Sequence, residues 1–326
     1  MLRSYEYTDR TFSEDSFQNR LLRDKEIEVA HKFCMSGKKE IQQKFFEQCP
    51  VCQKNKGKYF YTKWQVDYLL CESCKSVYAC CEREAVEQYK AQEELLELRK
   101  SELYQNEITQ RRQQNWEDFL EWMQVRSFRF LRKHTGLSVI DIGNRYTGYV
   151  ETIRNSGLCG QYKLAESILE YTKNDEIEQA DIIFYLDQMQ QELTPREQLK
   201  AMLPMLKENG LLVVGTRAGS GFDVLTLKEH NRKIFPYEHL VLPSVQGLVA
   251  MLQETGYKVL EVTTPGVMDV QYVKEGKRWL NGSNEFINNL MDAEESVLKE
   301  FQRFLQKNGM SSYVRVIATK ENQDAR

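Results

Sequence analysis

The chain has 326 residues, of which 41% are hydrophobic and 29% charged, and its 45 Lys and Arg against 48 Asp and Glu give a formal net charge of −3. That length accommodates one large or two modest domains with a full core, and the slightly acidic balance lacks the electrostatic footprint of a nucleic-acid binder. Mean hydropathy is −0.60, no window approaches the roughly 18 apolar residues of a membrane span, and residues 1–10 lack the apolar core of a secretory signal, so a cytoplasmic globular protein is expected.

Residues 1–48 read as a charged helical segment, with helical patches at 26–33 and 39–46. His31 and Cys34 share one helical face at a spacing compatible with half a metal site, but cysteine is buried so often that packing is preferred. The next element is more specific. Cys49-Pro-Val-Cys52 and Cys71-Glu-Ser-Cys74 are two C-x-x-C knuckles at a zinc-ribbon spacing, with residues 58–64 and 66–70 between them as ribbon strands. Thiolates two residues apart in a tight turn can face one tetrahedral ion, and four of them close its coordination sphere, so Cys49, Cys52, Cys71 and Cys74 are expected to hold a structural zinc. Disulfides are disfavoured in a chain without an export signal. Cys80 and Cys81 follow as a packed or exposed pair of free thiols.

From Glu82 to Thr135 there is neither Gly nor Pro and the composition favours helix, with a break expected near Tyr104 to Asn115 where apolar positions thin out. Trp116 to Leu131 carries aromatics at helical spacing and is expected to cover a sheet. Arg126, Arg129 and Arg132 along it read as a solvated face. Four apolar runs follow, at 137–143, 162–166, 180–187 and 210–217, separated by helical patterns, which read as buried parallel strands with crossover helices. Ligands of such doubly wound sheets sit at the carboxyl ends of the strands, and here those ends carry Asp141, Gly143, Glu166 and Asp187. Ala218 to Phe222 is a flexible loop at that end. A helix from Ser244 to Gly256, a strand at 257–264, an amphipathic helix at 284–308 and a last strand at 312–319 complete the chain. The units are thus a helical segment 1–48, a zinc ribbon 49–81, a helical linker 82–115 and a sheet domain 116–326.

The order of these pieces resembles class I S-adenosylmethionine-dependent methyltransferases. Asp141-Ile-Gly143 is similar to the start of their first-strand glycine loop, Glu166 to the acid that ends strand two and binds the ribose hydroxyls, and Leu206 to Val214 to their entry into strand five. The resemblance implies a Rossmann-like sheet, S-adenosylmethionine as cofactor, and a last strand running antiparallel between strands five and six. The chain departs from the pattern where Arg145 stands for the second glycine of D-x-G-x-G-x-G. The short interval between Glu166 and Asp181 also allows a sheet without the third strand.

Phe235 to Leu240 and the helix after it resemble the Y-x-E-H segment of bacterial methyltransferases acting on nucleotide-linked sugars, several of which carry a zinc ribbon. Residues 264–270 resemble a stretch of methyltransferases of surface-glycan synthesis. This implies a sugar or nucleotide-sugar acceptor, with Tyr237, Glu238 and His239 as catalytic candidates. His239 suits the role of base because an unperturbed imidazole titrates near neutrality. His230 is the weaker candidate, in a charged and solvated run. The alternative is a non-catalytic relative that keeps fold and ribbon to bind a protein partner, which the altered glycine loop favours. An RNA methyltransferase is disfavoured by the acidic balance.

Overall fold

The computed structural model describes residues 2–3, 17–36, 47–143, 147–165, 167–171, 178–280 and 284–321. The helical patch expected at 39–46 lies outside them. The chain opens with β1 (Leu2–Arg3) and α1 (Phe17–Ser36). The ribbon strands β2 (Lys58–Lys63), β3 (Val66–Leu70) and β4 (Val77–Ala79) come next. Helices α2 (Arg83–Lys90), α3 (Glu93–Lys100) and α4 (Glu102–Leu131) lead into the sheet domain. There β5 (Leu137–Ile142), α5 (Thr147–Asn155), β6 (Cys159–Ala165), α6 (Ile168–Tyr171), β7 (Ala180–Leu186), α7 (Pro195–Met202) and β8 (Leu206–Arg217) alternate. The last part holds α8 (Phe222–Leu227), β9 (Val241–Leu242), α9 (Val245–Glu254), β10 (Tyr257–Thr263), α10 (Asp269–Gly276), α11 (Glu285–Met291), α12 (Glu295–Lys307) and β11 (Tyr313–Lys320).

Seven strands form one sheet in the order β1-β10-β11-β8-β7-β5-β6. β5 pairs in parallel with β6 and β7, β7 with β8, and β11 runs antiparallel between β8 and β10. This is the doubly wound, Rossmann-like arrangement expected from the four apolar runs. Among the described residues β6 forms the edge, with no third strand beyond it.

Both faces of the sheet are covered except at the edge strand β6, where most residues are exposed and Leu164 is 41% accessible, so the run at 162–166 is not the buried strand expected. Leu137, Val139, Ile182, Phe184, Leu211 and Val213 pack under Phe119, Trp122 and Met123 of α4. Ile140, Ile183, Tyr185, Leu212 and Val214 lie on the other face, in one core with Leu199 of α7 and Leu248 and Met251 of α9. Continuous apolar runs, rather than alternating ones, are what two covered faces require.

Three further expectations are corrected. The helical region does not break between Tyr104 and Asn115: α4 is continuous over 30 residues, and the breaks fall at Ala91–Gln92 and at Ser101. Ser101 has extended backbone and its hydroxyl accepts the N–H of Tyr104 at 3.3 Å, so it ends one helix and caps the next. The helix expected over 284–308 is two, with Asp292 to Glu294 between them. The arginine stripe is not a purely solvated face. Arg126 reaches the carboxylate of Glu261 on β10, which is 1% exposed, at 3.1 Å, and Arg129 comes within 3.8 Å of it.

The ribbon does not stand apart from the sheet domain. β9, from the far half of the chain, adds to the ribbon as its fourth strand, pairing Val77 with Leu242 and Tyr78 with Val241. Cys49, Val51, Tyr68 and Val77 therefore share a core with Leu248 and Met251. Arg196 of α7 donates to the Val51 carbonyl at 2.8 Å, and Lys63 to that of Asn231 at 2.5 Å.

Candidate functional site

The four ribbon cysteines converge. Their sulfurs all lie within 4.8 Å of one another, with Cys49 to Cys74 at 3.7 Å and Cys52 to Cys71 at 3.6 Å. A tetrahedral ion at Zn–S distances of about 2.3 Å sets its sulfurs about 3.8 Å apart, so the donor set fits zinc. Both knuckles share one backbone design. The N–H of Gln53 donates to the Cys49 carbonyl and that of Lys75 to the Cys71 carbonyl, each at 2.8 Å. Gln53 and Lys75 turn the chain through left-handed conformations with φ of 54° and 60°. The two turns aim their thiols at one point. With protons in place of an ion, the hydrogen bond with Cys49 holds the Cys74 thiol down at about 5 and drives Cys49 well above the ordinary thiol range. In that pair the hydrogen bond thus favours thiolate at Cys74 at the expense of Cys49, and a bound cation would be needed to hold both deprotonated. Cys34, Cys80 and Cys81 are buried elsewhere in the core, and burial pushes the Cys34 thiol up to about 12 and Cys80 to about 11. His31 is exposed and packs edge-on to Trp64, away from a metal role.

At the carboxyl end of the sheet, β5 is followed by Gly143, whose φ of 75° favours glycine. Its N–H donates to the Ala165 carbonyl of β6 at 2.7 Å. A Cβ on Gly143 would lie 2.3 Å from Cδ of Gln188, so the Gln188 side chain folds over this glycine. Asp141 is buried and accepts the Tyr162 hydroxyl at 2.7 Å. Asp187 has φ of 59°, and its N–H donates to the Gly215 carbonyl at 2.8 Å, which brings the ends of β7 and β8 together. Asp141, Gly143 and Asp187 are thereby gathered at one end of adjacent strands. Glu166, the fourth residue expected there, lies outside the described residues, as does Arg145.

The Tyr237–His239 triplet turns toward the N-terminal helices. Tyr237, at φ of 67°, packs against Phe33 and Tyr89 with ring centroids at 5.2 and 5.6 Å. Glu238 takes a 2.6 Å hydrogen bond from Arg99 of α3. His239 is buried, and its Nδ1 accepts the N–H of Phe235 at 3.0 Å. Burial, reinforced by the Arg217 charge, holds this imidazole well below its usual range, hence neutral. A neutral imidazole has one lone pair in its ring plane, and here that pair already serves the backbone.

Two further buried carboxylates belong to this end of the molecule. Asp223, at the start of α8, is fully buried and pushed up to about 6, by burial first and by Asp269 next. Asp269, also buried, binds Ser311 at 2.8 Å, Gln302 at 2.9 Å and the N–H of Ser312, fixing the loop after β10 to the start of β11. In the sequence, Asp223 opens the segment that follows the loop after the fourth apolar run, and Asp269 falls within the resemblance at 264–270.

No protein-family model and no curated protein sequence matches this chain. Among solved structures it is similar to coclaurine N-methyltransferase bound to N-methylheliamine and SAH, at 15% identity and TM-score 0.35 over 62% of this chain and 70% of that one. A putative sarcosine dimethylglycine methyltransferase from Galdieria sulphuraria shares 17% identity, with TM-score 0.38 over 63% of this chain and 86% of its own. For a SAM-dependent methyltransferase from Archaeoglobus fulgidus the values are 16%, 0.38, 62% and 94%.

Proposed function

We propose that the chain is an S-adenosylmethionine-dependent methyltransferase acting on a small sugar or nucleotide-sugar acceptor, with a structural zinc in its ribbon. The observation that carries the reading is the strand order, in which β11 runs antiparallel between β8 and β10 while the parallel strands β5 and β7 deliver Gly143 and Asp187 to one end. Ligands of doubly wound sheets bind at that end. The cofactor would supply an electrophilic methyl on its sulfonium. Gly143 would let the backbone approach it, Glu166 would take the ribose hydroxyls, and Asp141 and Asp187 would line the rest. The protein's work is then to align the two reactants, exclude water and accept a proton. His239 can do the last only if its bond to Phe235 opens. The sugar acceptor rests on the sequence resemblance at 235–240 and 264–270.

Calorimetric titration with S-adenosylmethionine, then mass analysis of nucleotide sugars incubated with both, tests the reading. Binding together with a one-methyl mass gain on a sugar nucleotide is the expected result. A second reading, a fold that binds a partner without catalysis, is favoured by Gln188 lying over Gly143. No heat at millimolar cofactor would select it.

A further inference from the structure

A cleft opens at the same end of the sheet, between the segment following α8 and helix α10. Strands β8 and β10 both run antiparallel to β11, so they run parallel to each other, and the helices after them start on the side where Gly143 and Asp187 lie. The cleft has a volume of about 50 Å³ and is lined by His230, Arg232, Lys233, Tyr272, Arg278 and Trp279 among others. Three of these six, Arg232, Lys233 and Arg278, are basic.

Lys233 is the decisive residue. It is only 8% exposed, and among the described residues its Nζ has no hydrogen-bond partner. The ammonium instead lies over the Tyr272 ring, 4.6 Å from its centre. Its main chain is held firmly, because its N–H donates to Asn231 Oδ1 at 2.9 Å, while Asn231 Nδ2 donates to Asp223 at 3.0 Å. A ring face replaces only part of the hydration that a buried ammonium loses, so Lys233 keeps its proton at this depth best with an anion beside it.

The charges facing the cleft do not supply one at Lys233. Arg232 is paired with Asp24, and Glu275 takes a hydrogen bond from Gln271 at 3.0 Å. Arg278 lies over Trp279 at 4.9 Å. His230 stacks on the other aromatic wall, parallel to Trp279 within 6° and 5.0 Å away, with its Nε2 3.6 Å from Glu229. Among the described residues that line the cleft, Glu275 is the one carboxylate beside Lys233 and Arg278, with a flat aromatic wall next to them.

We propose that this cleft is a binding site for a phosphate group, with Lys233 as its ion-pair partner and Trp279 as the wall against which the rest of the ligand lies. Its assignment as the acceptor's phosphate rests on the methyl-transfer reading, whereas the anion site stands without it. Inorganic phosphate is the probe, titrated into the full chain at constant ionic strength against chloride and followed by calorimetry and thermal shift. Saturable binding is expected in the parent chain. Lys233→Met and, separately, the more exposed Arg278→Met should each weaken it about tenfold or more, the usual effect of losing one charged hydrogen-bond partner. Lys163→Met, on β6, should leave it unchanged. Arg278→Met keeps the test decisive should Lys233→Met fail to fold. Equal phosphate affinity in Arg278→Met and the parent, or no saturation by phosphate in the parent, overturns the site. Phosphate binding without any S-adenosylmethionine binding keeps the site and rejects only its role as an acceptor pocket.

Discussion

Ser76 and Ser244 join the four-cysteine cluster to the sheet domain: the Ser76 hydroxyl accepts the N–H of Ser244 at 2.9 Å and lies 3.2 Å from the Cys74 sulfur. Ser244 in turn donates its own hydroxyl to the Cys74 carbonyl and caps α9 by accepting the Gly247 N–H at 2.8 Å. A thiolate knuckle and a helix N-terminus of the sheet domain therefore share one hydrogen-bond chain. Gly247 is part of the fit, since a Cβ there would lie 2.7 Å from Ser76 Oγ.

The first prediction follows from that junction. Purified protein should contain one zinc per chain, and Cys49→Ser or chelation should lower the melting temperature of the whole molecule in a single transition, because binding energy at such sites is folding energy. Calorimetric scans with and without metal check this. An early transition confined to the ribbon, with the main one unmoved, would show the two parts to be energetically separate.

The second concerns Gly143 and Gln188. Gln188→Ala should tighten S-adenosylmethionine binding, because the side chain no longer has to leave the space over the glycine. Gly143→Ala should weaken it, since a Cβ there strains a left-handed backbone and occupies the space over the glycine that the cofactor would take. Equal affinities in parent and Gln188→Ala would place the cofactor elsewhere.

Asp223 gives a pH-dependent prediction. Its carboxyl titrates at about 6 in the fold against 3.8 when exposed, so its contribution to stability is complete below 3.8 and is lost as pH rises through 6. Asp223→Asn removes the buried charge and can keep an acceptor for Asn231. The variant should match the parent near pH 4 and exceed it at pH 8 by up to about 3 kcal/mol. Urea denaturation at the two pH values measures the difference, and a constant offset would refute the assignment.

His239 runs the other way. Its folded value is held well below 6.5, so the stability it contributes is present above 6.5 and is lost as pH falls below it, by about 1.4 kcal/mol per unit. His239→Gln, which can still accept the Phe235 N–H, should flatten that slope in denaturation curves between pH 5 and 7.5. The same variant tests the proton-acceptor role. A fall in turnover of roughly 10²- to 10⁴-fold with stability at pH 7.5 preserved would assign catalysis, whereas unchanged turnover would leave His239 a residue of the interface.

Sequence by itself determined what depends on local pattern. Thiol spacing in the two C-x-x-C turns marks the four-cysteine cluster, because both sulfurs of each pair are set by a few backbone dihedrals. Unbroken apolar runs mark strands buried on two faces, and a glycine after β5 marks a backbone turn that no other residue makes easily. What depends on distant segments meeting had no local signature. Only the folded chain brings β9 to the edge of the ribbon, and with it the Tyr237–His239 triplet under α1 to α3, where the one lone pair of His239 goes to a backbone N–H. Long-range packing also turns Lys233, one charge in a hydrophilic run, into a buried cation, because α10 closes over it with Tyr272. Solvation and partner supply are properties of the neighbours a residue acquires, and those neighbours come from elsewhere in the chain.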